Sequence, residues 1–208
     1  MPRWRRIALW LATATLAYNI LEAVIALWFG VVAESIALFG FGLDSVIECA
    51  AAGVILWHLW ENTRGSDEAA LARREHRVHQ FVGLTFIALA IYVAIQSGRT
   101  LWLRAIPDAS PVGIILAAAS LVIMPLVSWG KLRAAREINS PALRAEAKET
   151  LACSYLSFVL LLGLAANAAL GWWWADPAAA LLMIPWLVKE GIEGLGGEEC
   201  CADSGGSL

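Results

Sequence analysis

Four side chains with metal-ligating chemistry stand at helical spacing in this 208-residue chain. Asp44 and Glu48 are four residues apart, and so are Glu149 and Cys153. On a helix, that spacing puts both members of each pair on one face. Carboxylates joined by a thiolate suit a divalent transition metal, held in four-coordinate geometry at about 2.0–2.3 Å. Without a cation the same groups repel one another, because like charges are costly in a low dielectric. Both pairs lie inside long apolar runs, where an ionisable side chain faces a partner or a pathway.

The elements that must position these residues follow from composition. Hydrophobic residues make up 60% of the chain and charged residues 16%, with mean hydropathy +0.67. Soluble domains are nearer a quarter charged, so an ordinary globular enzyme is excluded. A net charge of −3 with no basic stripe excludes nucleic acid as a partner. Four cysteines, two of them adjacent, do not form a disulfide framework. The apolar runs predict an all-α polytopic membrane protein with six spans, since about 20 apolar helical residues cross a bilayer. They are Ile7–Phe29, Ser35–Trp60, Phe81–Leu103, Val112–Trp129, Leu143–Gly171 and Pro177–Leu195. Pro107, Pro111, Pro141 and Pro177 mark boundaries between them. Residues 1–195 read as one transport domain and 196–208 as a short cytoplasmic tail.

Basic residues orient the bundle. With the N-terminus inside, all but Arg99 and Arg104 of the 15 lysines and arginines fall on the inner side, as the positive-inside rule requires. Both termini are therefore expected in the cytoplasm. The first apolar run is too long for the h-region of a signal peptide and reads as a retained helix. Depth then relates the two pairs. At 1.5 Å per residue, Asp44 lies roughly 13 Å and Glu48 roughly 19 Å below the outer end of span two. On the antiparallel span five, Glu149 lies roughly 11 Å and Cys153 roughly 17 Å above the inner end. In a core of about 30 Å, Asp44 levels with Cys153, and Glu48 with Glu149.

Span two reads Ser35-Ile-Ala-Leu-Phe-Gly-Phe-Gly-Leu-Asp44-Ser-Val-Ile-Glu48, and span five opens Leu143-Arg-Ala-Glu-Ala-Lys-Glu149 before Thr150 to Cys153. These resemble the second and fifth transmembrane helices of the cation diffusion facilitator family. Trp174-Ala-Asp-Pro177 at the start of span six is similar to it as well. The resemblance covers roughly Arg6 to Leu195. It implies a six-helix transporter, generally dimeric, with i,i+4 ligand pairs at the positions of Asp44, Glu48, Glu149 and Cys153. The departures are specific. This site has no His, where the family has His or Asp at the positions of Glu149 and Cys153. Phe41 stands where some members carry a further acid. The family's soluble C-terminal domain is expected to be missing, since about a dozen residues follow span six.

Other residues are candidates for an accessory pathway. Asn19 and Glu22 in span one could line an outward vestibule or relay protons; a structural hydrogen bond is the alternative. His76 and His79 could pre-bind metal at the inner mouth, or be a solvated helix face. Cys200 and Cys201, flanked by acids, could capture soft cations, or be incidental in a flexible tail. Gly40, Gly42 and Gly53 are expected to permit close helix packing. Most of the eleven tryptophans read as interfacial belt residues.

The combined expectation is not an enzyme. It is a homodimeric secondary transporter in a bacterial cytoplasmic membrane, exporting a divalent metal against incoming protons. Zinc is the first choice, with Fe²⁺, Mn²⁺, Co²⁺ and Cd²⁺ open. The alternatives are a non-transporting metal sensor or partner, and an intramembrane metalloenzyme; the latter lacks a His-Glu-x-x-His signature.

Overall fold

A computed structural model describes residues 2–61 and 68–196, with backbone alone for a minority of helical positions. Six helices follow in order: α1 Pro2–Val32, α2 Ile36–Glu61, α3 Glu68–Leu103, α4 Pro111–Ile138, α5 Pro141–Leu170 and α6 Ala175–Gly196. No strand occurs among the described residues. By length and composition, α1, α3, α4 and α5 are each able to cross a membrane. α2 and α6 pack among them in the same bundle.

Helix starts are written in the sequence. Ser110 caps α4 by accepting from Gly113 N–H at 3.1 Å, with Pro111 at the first helical position. Ser140 and Pro141 repeat the device at α5, where Leu143 N–H donates to Ser140 Oγ at 3.3 Å. The hydroxyl satisfies an orphan amide, and proline is pre-set for the first turn. α2 begins differently. Leu38 N–H donates to Ser35 Oγ at 3.1 Å, and Asp176 of α6 accepts from Ile36 N–H at 2.9 Å and from the Ser35 hydroxyl. The first turn of α2 is thus fixed by a residue from the far end of the chain. Pro125 and Pro185 sit inside α4 and α6, where neighbouring helices in a membrane bundle tolerate them.

The bundle exposes large apolar side chains and buries polar ones within an otherwise apolar core. Trp102 is 88% exposed and Trp10 78%, whereas Asn19, Glu22, Asp44, Ser45, Ser120 and Lys131 are buried. That arrangement suits a lipid solvent. α1 lies along α2, α4 along α5, and α3 along α6. The first contact is so close that a Cβ on Gly42 would meet Leu27 N at 2.9 Å. Between α3 and α6, a Cβ on Gly83 would meet Gly191 O at 2.8 Å. For Gly53, expected to serve the same purpose, nothing among the described residues lies within 4 Å of such a Cβ. Trp172 and Trp174 stack at 5.2 Å in the turn between α5 and α6.

Candidate metal centre

α2 carries Asp44 and Glu48 on one face, and α5 brings Cys153 to meet them. One ligand atom from each lies within 4.8 Å of the others. Asp44 and Cys153 are buried, and Glu48 is partly buried. The side-chain amide of Asn19, on α1, donates to Glu48 Oε2 at 2.7 Å. The three donors border a cavity of about 10 Å³, the room that one water-sized occupant needs. Glu149, Phe86, Trp186 and Glu190 also line it.

Two carboxylates and a thiol with this separation can close on a single divalent ion. Of the four expected ligands, three have converging donor atoms, while Glu149 stands on the wall of the same cavity. It lies one turn from Cys153, so it faces the cavity from the same side of α5. Two residues on the cavity wall escape a reading by span. Glu190 lies beyond the uncharged stretch of the sixth span, which ends at Val188. Leu156 completes the α5 face one turn past Cys153.

Glu22 occupies a separate buried network. It accepts from the Ser45 hydroxyl at 3.0 Å and from that of Ser120, whose oxygen lies 2.7 Å from the Tyr18 hydroxyl. The structure therefore sets Asn19 against Glu48 and leaves Glu22 among hydroxyls from α1, α2 and α4. His76 and His79 belong to the α3 backbone, but their side chains lie outside the described residues, as do Cys200 and Cys201 altogether.

A feature not anticipated from the sequence lies between α4 and α5. Lys131 Nζ donates to Glu146 Oε1 at 2.7 Å and to Thr150 Oγ1 at 3.1 Å, with both charged residues buried. The Ser128 hydroxyl adds a bond to Ala147 O at 2.6 Å. These ties lock together the two helices that flank the cysteine side of the cluster.

The cation efflux transmembrane domain matches residues 12–194, from α1 to the end of α6. The chain belongs to the cation efflux family. The resemblance carried by Ser35–Glu48 and Leu143–Cys153 is thereby borne out, and with it an all-α membrane bundle. Among curated relatives, Transmembrane protein 163 of Xenopus laevis is 25% identical over 161 residues, covering 76% of this chain and 55% of the relative. An uncharacterized transporter of Synechocystis is 26% identical over 150 residues, covering 71% of this chain and 48% of the relative. The chain spans about half the length of these curated relatives. Family membership and the long apolar helices make this cation efflux protein a multi-pass membrane protein.

Proposed function

We propose that this cation efflux protein exports a divalent transition metal, zinc first, in exchange for protons. Asp44, Glu48 and Cys153 bind the ion, and Glu149 joins them during transport. The observation that carries the reading is the convergence of two carboxylates and a thiol from α2 and α5 within 4.8 Å. Fully ionised, these groups leave excess negative charge around one divalent ion, so the empty site holds protons that leave when metal binds. Occupancy by metal and by protons is then exclusive, which is antiport at a single site. Alternating access comes from rocking the helices that carry the ligands. Both termini lie in the cytoplasm and the working unit is a homodimer, as the charge distribution and the family resemblance imply.

The test is metal flux in proteoliposomes of the purified full chain under an imposed pH gradient. Zn²⁺ should move against the proton flow in wild type and not in Asp44→Ala. Gradient-independent flux, or equal flux in both, would overturn the reading.

A further inference from the structure

One helical turn from the donor cluster lies a second small cavity whose chemistry differs. Thr15, Asn19, Glu48, Glu146, Glu149 and Thr150 line it, and its volume is about 10 Å³. Relative to the cluster it is displaced toward the start of α1 and of α5, since Thr15 precedes Asn19 by four residues and Glu146 precedes Glu149 by three. Two of the lining residues carry a buried oxygen, Asn19 Oδ1 and Glu146 Oε2, with no hydrogen-bond partner among the described residues. Their residues are 1% and 3% exposed. A buried acceptor left unmatched is costly, because it has given up its water, so the pair points to an occupant.

The wall offers lone pairs and almost nothing else. The Thr15 hydroxyl spends its proton on Leu11 O at 2.8 Å, and that of Thr150 goes to Glu146 O at 3.0 Å. The Lys131 ammonium is already committed to Glu146 Oε1 and Thr150 Oγ1. Glu48, Glu146 and Glu149 bring three carboxylates to this one small wall, which favours a cation over a neutral water. No sulfur lines the cavity among the described residues, and an all-oxygen donor set suits a small hard cation.

We infer that this cavity is a second cation position, held by oxygen alone, through which a hard divalent ion passes to or from the Asp44–Glu48–Cys153 cluster. Because it shares Glu48 and Glu149 with that cluster, its role in transport rests on the function proposed above; its existence as a binding position does not.

Binding of two probes to the purified full chain separates the cases. Mn²⁺ is followed through the paramagnetic resonance of the free ion, and Cd²⁺ through its thiolate charge-transfer absorption. Thr15→Val keeps the shape of the side chain and replaces the hydroxyl by a methyl group; Glu146→Gln neutralises the acid whose Oε2 is unmatched. Both should weaken Mn²⁺ binding by about tenfold or more, while Cd²⁺ binding in Thr15→Val stays within about threefold of wild type. Cys153→Ala should do the reverse, abolishing the Cd²⁺ band and sparing Mn²⁺. A missing Cd²⁺ band in wild type would overturn the cysteine-containing centre and leave the Mn²⁺ pattern to decide the second position. If Glu146→Gln does not fold, Thr15→Val decides alone. Unchanged Mn²⁺ affinity in Thr15→Val, or parallel losses of both ions in every variant, would overturn the inference and assign the cavity to water.

Discussion

Asn19 on α1 donates its amide proton to Glu48 Oε2 on α2 at 2.7 Å. A helix that supplies no charge to the donor cluster therefore orients one of its carboxylates. Such a hydrogen bond fixes which oxygen of Glu48 is free to meet a cation, as partners behind metal ligands generally do.

Replacing that amide should be costly. Asn19→Leu leaves Glu48 without its donor while keeping the volume of the side chain. Zn²⁺ affinity should fall by about tenfold or more, measured by competition with a chelating dye. Wild-type affinity in this variant would remove Asn19 from the site.

Cys153 should set the preference among metals. Cys153→Asp exchanges a soft donor for a hard one at the same depth on α5. Transport should persist, with selectivity moving from Zn²⁺ or Cd²⁺ toward Mn²⁺. Uptake of each ion into inverted vesicles provides the check, and an unchanged selectivity order would mean that the thiol does not touch the ion.

The pair Lys131 and Glu146 is buried on both sides. Removing one partner leaves a buried charge uncompensated, at a cost of about 3–5 kcal/mol. Lys131→Met should therefore lower the thermal midpoint in detergent sharply. The joint change Lys131→Met with Glu146→Leu should recover most of the loss, because an apolar pair of similar size replaces the ionic one. Additive losses would argue that each residue acts separately.

The pH dependence has a definite sign. In the proposed exchange, metal binds to Asp44, Glu48 and Cys153 only after bound protons leave, so falling pH should weaken binding and rising pH should strengthen it. Each proton displaced contributes about a tenfold change in apparent affinity per pH unit where the cluster titrates. In Asp44→Ala one such proton is lost, and calorimetry across pH should show a shallower slope. Equal slopes in both proteins would exclude Asp44 from the exchange.

Much of this site was legible in the chain because depth along a helix is a simple function of residue number. Heights paired Asp44 with Cys153 and Glu48 with Glu149, whereas the donor atoms that come within 4.8 Å of one another are those of Asp44, Glu48 and Cys153. Azimuth is harder. Glu149 lines the cavity wall, while the donor atoms of Glu48 and Cys153 lie within 4.8 Å of each other. The caps at Ser110-Pro111 and Ser140-Pro141 were local, and the prolines marked them. Lys131 gave no such signal; by sequence it is one more inner-side cation, and only the packing of α4 against α5 reveals Glu146 as its partner. Asp176 likewise reads as a motif residue, and its bonds to α2 depend on contact between elements that are distant in the chain.

That last contact bears on how the protein is made. The first turn of α2 is completed by Asp176, and Ile36 and Asp176 are 140 residues apart. A ribosome finishes α2 long before α6 emerges, so the growing chain carries an incompletely satisfied helix end through most of synthesis. The first turn of α2 gains its Asp176 partner only once α6 is in place beside it.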